Sequence, residues 1–289
     1  MNQQESGKLN QLQRLLPEGL VVDAAWLERH GYSRVLRSRY VSAGWLEMVM
    51  RGVYRRPPSK LSRGGEYEEL SWQPVIISLQ TLLGHPVAVG GRSALELHGF
   101  AHYLSRGGSR EVHLYGDKSP PAWLFKLPLE SHFVFHNRKR LFPGHPVGHG
   151  HGAPEWNLLD RDANVGRESL VREPLGRWNW PLTLSTPERA ILELLDELPK
   201  HETFHQVDML MEGQRTLSPR RLQQLLTDCR SVKVKRLFFW FAERHNHPWL
   251  KHLDPSVIDL GKGKRMLVRG GKLDPKYLIT VPANLDAGG

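Results

Sequence analysis

The sequence predicts an α+β protein: a small helical unit closed by a β-hairpin, then a larger mixed α/β unit ending in a helical region. Three observations predict it. Short runs with apolar residues at helical spacing fill the first 44 residues, the second and third each bracketed by a capping residue and a glycine. Between residue 68 and about 140, short alternating runs bounded by Gly, Pro and Asn interleave with helical ones. From Thr186 onward, amphipathic runs of helical length follow one another.

Taken in order, KLNQLQRLL (8–16) places Leu9, Leu12, Leu15 and Leu16 at helical spacing, and Pro17-Glu18-Gly19 ends that helix. Asp23 is placed to cap a second helix, AAWLERH, which stops at Gly31. Ser33 is placed to cap a third, RVLRSRYVSA, which stops at Gly44. WLEMVMRGVYRRP then reads as two short strands turning near Met50-Arg51-Gly52. Three helices followed by a hairpin make a winged helix-turn-helix layout. The Pro/Gly/Ser-rich and basic stretch from Pro57 to Gly65 reads as a linker. The expected domains are therefore 1–63 and 64–289, the latter divisible into 64–180 (α/β) and 181–289 (mainly helical).

In the larger unit, Ser71–Leu83 predicts a helix, PVAVGG a strand entering a glycine turn, and SALELHGF a helix. EVHLYG and HFVFHN predict strands, with PAWLF a short helix between them. LFPGHPVGHGHGAPEW (141–156) reads as a surface loop, and VREPLGRWNWPLTLS as more strand. ERAILELLDEL, ETFHQVDMLME, SPRRLQQLLTDC and SVKVKRLFFWFAERH predict four helices. The run from Val257 to Pro282 alternates like a small hairpin sheet.

Charge narrows the function classes. The chain of 289 residues has a formal net charge of +10. Residues 1–63 hold 11 Lys/Arg against 5 Asp/Glu, so +6 of that +10 sits at the N-terminal end. This asymmetry points to a specialised basic module and an anionic partner such as nucleic acid. The single cysteine, Cys229, excludes an internal disulfide. MNQQESGKLN has neither an apolar core nor a cleavage-like site, and no apolar run is long enough to span a bilayer. The expected setting is cytoplasmic, without membrane contact.

The third helix carries the sharpest expectation. At 100° per residue from Arg34, the residues Arg37, Ser38 and Val41 fall within about 60° of it, and Leu36, Tyr40 and Ala43 fall opposite. Ser33, Arg34, Arg37, Ser38 and Val41 are therefore the expected DNA-reading set, since Arg bonds guanine O6 and N7 bidentately and Ser serves several bases. Arg39 falls on the flank as a backbone contact or structural ion pair. Arg51 and Gly52 at the hairpin tip, with Arg55 and Arg56 behind them, are expected to meet phosphates or the minor groove. The plain alternative, a solvated charged helix, leaves the layout and the charge asymmetry unexplained.

Other clusters are weighed against bland readings. His98 and His102 have zinc-like spacing but lack the HExxH pattern, so no metal is expected. His145, His149 and His151 are read as surface residues of the Gly/Pro loop. Lys233, Lys235 and Arg236 open an aromatic helix and form a possible second basic patch. GKGKR (261–265) lacks phosphate-loop spacing and reads as a basic hairpin turn. The carboxylates Glu188, Glu193, Asp196 and Glu197 are expected on a solvated helix face, and Cys229 in packing. No GxSxG, P-loop or zinc signature appears, so neither an enzyme nor a cofactor is expected.

GYSRVLRSRYVSAGWLEMVMRGVYRRP resembles the N-terminal winged-helix domain of AbiEi-family antitoxins. VGGRSALELHGFAHYL, STPERAILELLDELP and KVKRLFFWFAE resemble later stretches of that family, so the similarity spans residues 9 to about 283. The resemblance implies the antitoxin of a type IV toxin–antitoxin pair from an abortive-infection phage-defence system. It implies repression of its own operon, with the winged helix on promoter inverted repeats of double-stranded DNA. It further implies that the C-terminal domain neutralises a nucleotidyltransferase toxin without requiring a stable complex. A monomer or weak dimer, cooperative on DNA, fits such repeats. The reading from another class is a nucleic-acid-processing or toxin-modifying enzyme targeted by a winged helix; a third is an RNA-binding module.

Overall fold

The computed structural model describes residues 3–58, 69–100, 111–145, 147, 169–175 and 179–285. Helix α1 (Gln3–Leu15) is followed by strand β1 (Val21–Asp23), helices α2 (Ala24–Arg29) and α3 (Arg34–Ser42), and strands β2 (Glu47–Met50) and β3 (Val53–Arg55). The caps are those the sequence specifies. The Asp23 carboxylate accepts from the Trp26 N–H at 2.8 Å, and the Ser33 hydroxyl from the Leu36 N–H at 3.3 Å. Gly31, Gly44 and Gly52 take positive φ of 82°, 75° and 86° at the two helix stops and the hairpin tip, where a Cβ would be strained.

Strand β1 is not predicted from the sequence. It pairs antiparallel with β3, giving a three-stranded sheet in the order β1-β3-β2. Three residues are too few for a periodic signal, and the partner strand lies some thirty residues away. The pairing ties the chain entering α2 to the hairpin leaving α3, so the hairpin is anchored beside that helix.

The larger unit opens with α4 (Trp72–Thr81), β4 (Val87–Val89), α5 (Gly91–Leu97) and β5 (Glu111–Gly116). Strands β6 (His132–Asn137), β7 (Leu170–Leu175) and β8 (Trp180–Ser185) complete a five-stranded sheet in the order β6-β5-β4-β8-β7. It is mixed: β5–β6 and β4–β8 run parallel, β4–β5 and β7–β8 antiparallel. Helices α6 (Pro187–Asp196), α7 (Phe204–Glu212), α8 (Pro219–Asp228) and α9 (Val232–Arg244) pack together, and β9 (Lys272–Asp274) pairs with β10 (Ile279–Val281) as a terminal hairpin.

One hydrophobic cluster runs from Leu9 in α1 to Val281 in β10. The N-terminal unit is seated on the larger one through β1 and α4, where the Val21 N–H donates to the Ser78 hydroxyl at 2.9 Å. The linker expected from Pro57 to Gly65 falls largely outside the described residues. Within them, no helix is long and apolar enough to cross a membrane.

Three expectations about the larger unit are corrected. Leu141, Phe142, His145 and Val147, read as part of a surface loop, are buried. His145 is 2% exposed, and its Nε2 lies 2.7 Å from the Asp228 carboxylate. His149 and His151, like His102, lie outside the described residues. On α6, Glu188 and Glu193, read as solvated, are buried, and Glu197 just beyond the helix is nearly so. Arg189 and Glu193 form an ion pair at 2.7 Å with both side chains 0% exposed. The run is amphipathic, but helices pack over its polar face as well.

Candidate nucleic-acid interface

The exposed surface of α3 is a single arc. Arg34, Val35, Ser38, Arg39, Ser42 and Ala43 are all exposed and together line one open groove. On the 100° wheel this arc is centred about 90° from Arg34, between Ser42 and Val35. Opposite it, Tyr40 is buried, and Leu36 and Val41 pack against the core.

The observed phase corrects four assignments. Arg37, expected beside Arg34, is 5% exposed. Its guanidinium donates to the carbonyls of Tyr32 (3.1 Å) and Ala24 (3.3 Å), pairs with Glu28 at 2.9 Å, and lies over the Tyr54 ring at 5.9 Å. It fastens α3 to α2 and the hairpin. Val41, also expected outward, packs on the core. Ala43, expected inward, is exposed, and Arg39, expected on the flank, lies on the open face. The physical reason is that a long arginine stem packs like a hydrocarbon while its head finds backbone acceptors, so charge alone does not locate the solvent face. Centring the wheel opposite Leu36 and Tyr40 instead of on Arg34 brings in Val35 and Ser42, but it still leaves out Arg39 and Ala43 and keeps Val41 on the open side.

The hairpin divides similarly. Arg51 is exposed and Gly52 forms the tip, as expected. Arg55, expected to contact DNA, is 5% exposed, and its Nε and Nη2 donate to the Glu47 carboxylate at 2.9 and 2.6 Å across the β2–β3 pair. Arg56 donates to the carbonyls of Gln13 (2.8 Å) and Leu16 (3.2 Å) and pairs with Glu18 at 3.1 Å. It satisfies the end of α1, where a cation also suits the helix dipole. Ser33 remains exposed while its hydroxyl caps α3.

The possible second basic patch is not present as a surface. Lys235 is buried, and the Arg236 guanidinium donates to the Leu260 and Gly263 carbonyls, both at 2.7 Å. Lys233 donates to the Leu198 carbonyl at 2.9 Å and pairs with Asp196 at 3.3 Å. Lys233 and Arg236 hold α9 to its neighbours. The basic run Gly261–Arg265 is exposed, but it is not the hairpin turn expected: the terminal hairpin is formed by β9 and β10, and the run ends in a single bridge from Arg265 to Ile279.

The remaining concentration of titratable groups is internal. His113 Nδ1 lies 2.9 Å from His136 Nε2, and His136 Nδ1 lies 3.2 Å from the Glu197 carboxylate, with Tyr115 stacked on His136. Burial, reinforced by His136, Arg92 and His201, pushes the His113 imidazole down to about 3. Burial also pushes His136 down to about 4, with Asp196 opposing and His201 and Arg140 adding. Burial and then Asp196 raise Glu197. Neutral rings fit one chain of bonds: His113 Nδ1–H donates to His136 Nε2, and His136 Nδ1–H donates to Glu197. Nearby, the Gly91 N–H donates to the buried Glu193 carboxylate at 3.0 Å and the Ser185 hydroxyl donates to it at 2.8 Å. At Gly90 a Cβ would lie 2.2 Å from the same oxygen, which is why the turn after β4 needs glycine there. Among the described residues, no group of three or more His, Cys, Asp or Glu is arranged to hold a metal ion.

Two family models match the chain. Residues 5–106 match the model described as a transcriptional regulator, AbiEi antitoxin N-terminal domain. Residues 109–282 match the one described as a transcriptional regulator, AbiEi antitoxin, type IV toxin–antitoxin system. The chain belongs to the AbiEi antitoxin family. It is thus an antitoxin-type transcriptional regulator of a type IV toxin–antitoxin system. No curated protein matches its sequence. In fold it is similar to the crystal structure of the RV2827C protein from Mycobacterium tuberculosis. That likeness covers 96% of this chain and 91% of the other, with a TM-score of 0.55 and 16% identity.

Proposed function

We propose that this AbiEi-family chain binds duplex operator DNA through the exposed arc of α3, represses its own operon, and neutralises a nucleotidyltransferase toxin through its larger unit. One observation carries the DNA reading. The open face of α3 presents Arg34, Ser38, Arg39 and Ser42 together, while its opposite face is locked to the core. Donors on a rigid helix are what direct readout in a major groove requires. Arg51 beside Gly52 on the anchored hairpin adds a phosphate or minor-groove contact. The protein acts as a monomer or weak dimer that fills inverted repeats cooperatively, in the cytoplasm, without needing a stable complex with its toxin.

The test compares binding of the full chain to its promoter duplex, to duplex RNA and to single strands at one salt concentration, by fluorescence anisotropy. Preference for the promoter duplex is expected. Equal affinity for all three removes the operator assignment. Co-expression with a cognate nucleotidyltransferase toxin is expected to restore growth, and to do so even with Arg34→Ala, because the two activities are proposed for different units.

A further inference from the structure

The donors on α3 surround an apolar side chain that packing does not explain. Val35 is 65% exposed. At 100° per residue it stands close to the middle of the exposed arc, between Ser38 and Ser42 on one side and Arg39 on the other. A β-branched residue forms helix less readily than alanine, so local propensity does not favour valine there either. Nor is Val35 a solitary exposed apolar side chain. Of the six large hydrophobic side chains that stand exposed among the described residues, Val35, Trp45 and Met48 fall on α3 and the segment running from it into β2. The open face is therefore chemically mixed: guanidinium and hydroxyl donors around a branched hydrocarbon near its centre.

In the major groove the complement of a branched hydrocarbon is specific. Three of the four bases offer only hydrogen-bonding edges there, and thymine alone adds an apolar C5-methyl. Resting on the DNA reading above, we infer that Val35 is a specificity-determining residue that packs on a thymine methyl in the operator, beside the base read by Arg34. Arg34 sits one residue earlier on the same face, so the two contacts fall on neighbouring base pairs. Arg34 selects by hydrogen bonding, and Val35 selects against cytosine and against any thymine lacking its methyl.

The experiment uses the full chain and a duplex selected from randomised DNA for tightest binding by the wild-type protein. Each thymine of the selected site is replaced in turn by deoxyuridine, which deletes the methyl and leaves pairing intact. At one position, affinity for wild type is expected to fall about fourfold, the effect of one buried methyl-sized group. Val35→Ala is expected to bind the thymine and deoxyuridine duplexes equally, so the double change costs less than the two single changes multiplied. Val35 is exposed and alanine is the better helix former, so the variant folds; its circular dichroism checks this. If every thymine tolerates the replacement, or if Val35→Ala keeps the full fourfold difference, the assignment of Val35 is overturned while the DNA reading stands. If the selection yields no preferred duplex, or Arg34→Ala binds the selected duplex as wild type does, the DNA reading fails and Val35 with it.

Discussion

Arg37 and Arg34 lie three residues apart on one helix, carry the same charge, and should respond oppositely to substitution. Arg37→Met keeps most of the hydrocarbon stem and removes the guanidinium. Two backbone carbonyls, of Tyr32 at 3.1 Å and Ala24 at 3.3 Å, then lose a charged donor. A hydrogen bond involving a charged group contributes about 1.5–3 kcal/mol, and the longer of these contributes less. The pair with Glu28, whose side chain is 60% exposed, adds about 0–1 kcal/mol. The sum is a destabilisation of about 2–4 kcal/mol, or roughly 3–7 °C in Tm for a chain of this size. Arg34→Ala, on the open face, should change stability by no more than about 0.5 kcal/mol while costing about 1–3 kcal/mol of specific DNA binding. Thermal unfolding followed by circular dichroism gives the first quantity, and anisotropy on the operator, well below the variant's Tm, gives the second. If Arg37→Met unfolds at the wild-type temperature yet loses operator affinity, Arg37 points outward and the phase assigned to α3 is wrong.

Three further outcomes are expected. Arg39→Ala should weaken binding to specific and nonspecific duplexes alike and lower the salt slope by about one, whereas Arg55→Ala, whose partner is Glu47, should leave the slope unchanged and lower Tm. Replacing Glu193 by Gln leaves the buried Arg189 charge uncompensated and should cost about 3–5 kcal/mol in urea unfolding, while the paired change of Arg189 to Met and Glu193 to Leu should cost less than the single one; equal costs would refute a charge-based account. Because the folded state depresses His113 to about 3 and His136 to about 4, the unfolded chain binds more protons below about pH 6.5. Stability is therefore fully present above that pH and declines as pH falls toward the folded values, by about 2 kcal/mol for the two rings between pH 6.5 and 5.5. The raised Glu197 carboxyl works in the opposite direction and trims that loss. His113→Gln combined with His136→Gln should flatten the decline, and a variant as steep as wild type would place the titrating groups elsewhere.

The local structure of the N-terminal unit is legible in its residues, because the signals there are short-range. Asp23 and Ser33 cap the helices they precede, and Gly31, Gly44 and Gly52 occupy the positive-φ positions that stop or turn the chain. Capping and turn chemistry act over two to four residues, so they can be read directly. The alternating strands and the amphipathic helices of the larger unit were legible for the same reason. Tertiary structure alone decided which charges reach solvent. Arg37, Arg55, Arg56, Arg236 and the Arg189–Glu193 pair read as surface charge in a count of residues. Each is instead taken up by a backbone carbonyl or carboxylate, brought near by a distant part of the chain at Arg56 and Arg236 and lying within eight residues for the others. Long-range pairing also created β1, which three residues could not announce. The phase of α3 follows from this. An arginine with a polar acceptor waiting inside is as much a core residue as a leucine, and only the assembled fold shows where the acceptors are.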